Sequence, residues 1–127
     1  MELESLVTKD AHETGSKCHL IGSDGNIVDA YVVVQGQDSA NFRKAKRAQR
    51  KKIMELQAKK VDFDDFDFMP LDIDFVCAII VDWGEITEKG KTLKFSKEAC
   101  RNLFENSPLN VERVLDFCGE RANFTKG

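Results

Sequence analysis

Residues 17–36, KCHLIGSDGNIVDAYVVVQG, read as a β-hairpin, and that reading constrains the rest of the chain. Cys18 and Leu20 alternate with polar neighbours, Asp24-Gly25 is a tight-turn pair, and Val28, Ala30, Val32 and Val34 line one face of the second strand. Two strands alone are marginal in water, so this hairpin must lie on helices or pair with another chain. With 127 residues there is material for one core and not for two.

The cover has to come from the C-terminal side, where apolar residues recur at helical spacing. Residues 38–60 form a helix opened by Asp38 or Ser39, with good helix formers at almost every later position. Phe42, Ala45, Ile53 and Leu56 fall on one face, but Gln49 and Lys52 interrupt the stripe, so little of this helix must bury itself. Residues 61–69, VDFDDFDFM, set Phe63, Phe66 and Phe68 among aspartates with no clean period, and read as an irregular acidic linker. Pro70 suits a first helical turn, and residues 70–84 are expected as one helix stopped by Gly84, the central core element. A connector with a turn at Lys89-Gly90 follows. Ser96 then caps a helix whose face is Ala99, Cys100, Leu103 and Phe104, with Phe95 placed to staple onto Cys100. Ser107-Pro108 is expected to cap the last helix, with Val111, Val114, Leu115 and Cys118 at i, i+3, i+4, i+7, and Phe124 is placed to pin the tail. Residues 1–15 have no clear period and are expected to fray or dock loosely. The expectation is a single α+β domain, mostly helical, with an N-terminal β-hairpin and a helical core over 70–124.

The formal net charge of −3 hides strong segregation: residues 1–40 carry −5, 41–60 carry +8, 61–88 carry −9 and 89–127 carry +3. Opposite blocks side by side suggest a chain that assembles with copies of itself. The candidates for that self-association are Arg43, Lys44, Arg47, Arg50 and Lys51 against Asp62, Asp64, Asp65 and Asp67. Phe63, Phe66 and Phe68 are candidates for binding a partner, since clustered aromatics outside a core mark contact surfaces. A basic helix is also the footprint of a phosphate binder, which makes a nucleic-acid-binding or regulatory module the alternative. Against it, no aromatic follows Phe42 among the bases to stack on a nucleobase, and the acidic block repels DNA.

Other classes fare worse. The two histidines have no nucleophile or carboxylate in a recognisable arrangement, and no phosphate-binding glycine motif is present, so no catalytic residue or cofactor is expected. A calcium loop starting at Asp62 needs Gly at its sixth position and Glu at its twelfth; Asp67 and Ile73 stand there instead. Cys18, Cys77, Cys100 and Cys118 are scattered without metal-ligand spacing and read as reduced, buried thiols of a cytoplasmic protein; Cys18 and His19, neighbours in a strand, point to opposite faces. The acidic N-terminus is unlike a secretion signal, and no apolar run approaches the roughly 18 residues that span a bilayer.

Two segments carry a family resemblance. One is D-S-x-x-F-R, Asp38 to Arg43; the other is W-G…G-K-x-L-x-F-S-K-E, Trp83 to Glu98, and their order and spacing matter more than either alone. Over roughly residues 16–124 the chain resembles the tail assembly chaperones of long-tailed, lambda-like bacteriophages. The resemblance implies a non-enzymatic protein of the host cytoplasm, absent from the mature virion. It implies that the chain coats the tape measure protein, keeps its apolar helical segments soluble and helps recruit the tail tube protein. A head-to-tail contact that does not close generates a spiral, a natural sleeve for a long partner.

Overall fold

The computed structural model describes residues 1–125. In chain order it comprises a 3-10 turn at Leu3–Leu6, α1 (Lys9–Thr14), β1 (Ser16–Ile21), β2 (Ile27–Val34), α2 (Ala40–Ala58) and α3 (Met69–Ile79). There follow β3 (Ile80–Gly84), β4 (Thr87–Glu88), β5 (Lys91–Thr92), α4 (Lys97–Glu105), α5 (Pro108–Gly119) and a second 3-10 turn at Arg121–Phe124. The class is α+β, with the N-terminal hairpin in place.

The hairpin finds its cover in two ways. β1 and β2 pair antiparallel, with Cys18 opposite Val32 and Ser16 opposite Val34. Gly25, at φ +88°, supplies the left-handed step of the turn, and Asp24 accepts the Asn26 N–H at 3.0 Å. On the other side of β2 lies β3, giving the order β1-β2-β3. This third strand corrects the reading of residues 70–84 as one helix. α3 ends at Ile79 and the chain runs directly into extended backbone at Ile80. The β-branched run Ile79-Ile80-Val81 favours a strand, and β2 offers an unpaired edge that takes it. The carbonyls released by the helix end are not left bare: the Lys97 ammonium donates to Cys77 O and Ile80 O, both at 2.7 Å. Gly84 is therefore no helix stop. It sits opposite Tyr31, whose hydroxyl a Cβ would meet at 2.3 Å, so a larger residue there would have to push the Tyr31 side chain aside.

One face of this sheet is buried by helices. Cys18, Val32 and Val34 meet Val76 and Ile79 of α3, Phe104 of α4, and Val111 and Val114 of α5 in one core. Against this core α2 lays Phe42 and Ala45, the Phe42 ring edge-on to Phe75 at 5.1 Å between centroids. Ser39 is the residue that caps α2: its hydroxyl accepts the Phe42 N–H at 3.1 Å and donates to Gly36 O at 2.7 Å. Ser96 caps α4 through the Ala99 N–H, and Lys89 and Gly90, both at positive φ, turn β4 into β5. Phe95 packs edge-on to Trp83 at 5.4 Å, and the Trp83 indole donates to Leu93 O at 2.8 Å, so this aromatic pair pins the connector to the end of β3.

Of residues 1–15, expected to fray or dock loosely, residues 1–10 are exposed, and the docking is made by polar contacts of Thr8, His12 and Glu13 that no apolar period announces. His12 is buried, and its Nδ1 accepts the Asp38 N–H at 3.0 Å. Its ring stacks on Phe124 at 5.1 Å, which brings the two ends of the chain together. Gly36 leaves room for that ring; a Cβ there would lie 2.3 Å from Nδ1. Asp38 takes a bidentate contact from Arg121 at 2.9 and 3.0 Å and accepts the Thr8 hydroxyl. These bonds, Arg121 first and Thr8 next, hold the Asp38 carboxyl well below the usual carboxylate range.

Candidate interaction surfaces

α2 divides into two faces. Phe42 and Ala45 are buried and Ile53 and Leu56 half-buried on the side toward α3, whereas Arg43, Lys44, Arg47, Arg50 and Lys51 are all exposed. At 3.6 residues per turn those five cations fall within roughly 120° of arc, opposite the buried stripe. Met54 lies in the middle of the same arc and is 61% exposed. With the aliphatic stems of Arg47, Arg50 and Lys51 it floors a shallow depression of about 390 Å³. Glu55 and Ala58 complete the lining, so an exposed thioether stands among charged side chains on a bare helix face.

The acidic linker is organised by its own side chains. Phe63, Phe66 and Phe68 pack on one another, with centroid separations of 5.9 Å (Phe63–Phe66), 5.7 Å (Phe63–Phe68) and 4.8 Å (Phe66–Phe68). None belongs to the buried core; Phe63 and Phe66 are half-buried and Phe68 is 39% exposed. Two of the four aspartates serve the local backbone. Asp62 accepts the Asp64 N–H and Asp67 the Met69 N–H, each at 3.0 Å, so Asp62 tightens the turn and Asp67 caps the start of α3. Asp64 and Asp65 are exposed.

The two charged blocks thus lie on consecutive elements, and α2 packs directly on α3. Among the described residues, however, no ion pair joins a cation of α2 to an acid of the linker or of α3. Lys46 lies over the Phe75 ring at 5.2 Å. Burial, and then the neighbouring Asp67, raise the Asp72 carboxyl above its ordinary range, and Lys46 opposes them. Like charges are crowded on the acidic side, and unlike charges face solvent.

The two segments that carry the family resemblance do structural work. Asp38, Ser39 and Phe42 clamp the chain end, cap α2 and enter the core; Trp83, Phe95, Ser96 and Lys97 fasten β3 to α4. All four cysteines are free and buried, and burial pushes the Cys18 and Cys118 thiols up to about 11. Among the described residues no three His, Cys, Asp or Glu side chains converge to hold a metal ion, and no helix is long and apolar enough to cross a membrane. No protein-family model, curated protein or solved structure matches this chain.

Proposed function

We propose that this chain is a tail assembly chaperone of a long-tailed, lambda-like bacteriophage. On this reading it binds and solubilises the tape measure protein, helps recruit the tail tube protein, acts in the host cytoplasm and leaves before the virion is complete. It is not an enzyme. The observation that carries the proposal furthest is the pair of exposed blocks of opposite sign, which among the described residues form no ion pair with each other although they occupy consecutive elements. Cations on α2 and aspartates of the linker are arranged for one copy to meet the next, with charge steering the approach, and the phenylalanine cluster between the aspartates offers aromatic area to the tape measure protein.

Co-expression with the tape measure protein followed by affinity capture tests this function. Recovery of a soluble complex is expected, with the tape measure protein insoluble when expressed alone. Failure to retain it at low salt would refute the proposal. The rival, nucleic-acid binding by α2, requires tight binding of duplex DNA with a steep salt slope in a gel shift.

A further inference from the structure

The seam between α2 and α3 carries a further surface, apart from the phenylalanine cluster and bordering the basic arc at Lys44. The two helices run antiparallel, residues 41–52 alongside residues 71–78. Beneath the seam Phe42 and Phe75 close the core. On its outer side the facing residues are small: Ala45 and Ala48 from α2, Ala78 from α3. Two cavities of about 220 and 460 Å³ result, and they share Ala45, Ala48, Asp74 and Ala78, so they form one trough. Leu71 and Phe75 extend its floor at one end. Eleven residue steps of α2 make it roughly 16 Å long, about three turns of a helix laid along it.

The rim is cationic. Lys44 and Lys52 stand along α2 and Lys97 at the far end. The one acid of the trough, Asp74, is taken by Arg101 at 2.6 Å. Lys97 spends two of its three protons on backbone carbonyls, so its charge is fixed in place and one proton remains to give.

We propose that this trough is the docking groove for an acidic amphipathic helix of the partner protein. An incoming helix would set apolar side chains at i, i+3, i+4 and i+7 against the alanine floor and Asp or Glu side chains against Lys44, Lys52 and Lys97. A basic helix meets three unneutralised cations and is rejected. The acidic linker of a second copy shares the charge but not the shape, because it is irregular and its phenylalanines pack on one another. The partner's identity rests on the chaperone reading; the groove and its chemistry do not.

The test uses two labelled synthetic helical peptides of about five turns, identical in their leucine stripe, one flanked by Glu and one by Lys, titrated into the full chain by fluorescence anisotropy. The Glu peptide should bind and the Lys peptide should not. Ala48→Trp fills the trough from an exposed position and should weaken binding by about tenfold or more at an unchanged melting temperature. Ala78→Trp does the same from α3 and serves if Ala48→Trp melts early. The double variant K44E/K52E should lose the Glu peptide and gain the Lys peptide. No binding of the Glu peptide, equal binding of both peptides, or indifference to both Trp variants would overturn the groove. So would tighter binding of a peptide spanning residues 61–69 of this chain, which would make a second copy the occupant. Wild-type capture of tape measure protein with unaltered capture by both Trp variants sinks the groove and leaves the chaperone. Glu-peptide binding without tape-measure capture does the reverse.

Discussion

Replacing Phe68 by Ser separates a ring held for a partner from a ring held for the fold. The side chain is 39% exposed, so about three-fifths of its surface is withdrawn from water. Full burial of a Phe stabilises by roughly 1.5–3 kcal/mol, which leaves about 1–2 kcal/mol for this ring as an upper bound. Phe104, fully buried in the core, is the control: its replacement by Ala should cost about 3–5 kcal/mol. Unfolding entropy near 2.1 cal/mol/K per residue converts 1 kcal/mol into roughly 4 °C for a chain of this length. Phe68→Ser should then lower Tm by about 4–8 °C and Phe104→Ala by about 11–19 °C. Circular dichroism melts and tape-measure capture, run on the same preparations, read both quantities. Phe68→Ser should lose most of the capture while still folded at 25 °C. A melt collapsed as far as that of Phe104→Ala would show the phenylalanine cluster to be a satellite of the core, and the interface assignment would fall.

Three further perturbations probe other parts of the argument. Reversing Arg47, Arg50 and Lys51 to Glu should abolish salt-sensitive self-association in light scattering and leave Tm within about 2 °C, since all three are exposed and away from the buried stripe. Asn110→Ala should cost about 2–3 kcal/mol in urea unfolding, because the Asn110 side chain pairs with both the N–H and the carbonyl of Ile21, at 2.8 and 2.9 Å. Asp38 should confer an acid-labile increment of stability: its carboxyl is depressed in the folded state, so the stabilisation is complete above the ordinary value of 3.8 and lost as pH falls below it. Wild type should lose Tm between about pH 4 and 2 more steeply than Asp38→Asn, and parallel pH curves would contradict the clamp.

Much of this fold was legible because local chemistry and global packing agree. The hairpin, the Ser96 cap, the Lys89-Gly90 turn and the core stripe Val111, Val114, Cys118 all follow from period and capping rules, which left the α2 cap open between Asp38 and Ser39 and expected a cap at Ser107 that its side chain does not make. The failures share a cause: each depends on a partner distant in sequence. An apolar run through Phe75 to Val81 satisfies helix and strand alike, and only the open edge of β2 decides that Ile80 begins a strand. The N-terminal segment shows no period because it is held by His12, Thr8 and Asp38 through hydrogen bonds rather than by a stripe. Asn110 reads as a polar residue in a last helix, yet it completes the backbone pairing of β1 where the register with β2 shifts between His19 and Ile21.

The candidate surfaces were legible to different degrees for the same reason. Charge is visible in any sequence, and the exposure of α2's cations needs nothing beyond its narrow apolar stripe. Asp62 and Asp67 show the limit of that approach, since both are engaged by their own backbone and contribute to a turn and a cap before they contribute to any field. Met54 and the alanine-floored trough depend on what α3 leaves uncovered, which no window of sequence contains. The arrangement that results is economical in its physics. α2 buries one side in its own core, turns a cationic arc with an apolar centre to solvent on the opposite side, and leaves a lysine-rimmed seam between the two. On the proposed reading such a helix holds its fold, meets a neighbouring copy and receives a partner's helix, because the three contacts use successive arcs of its circumference and the last two share only Lys44.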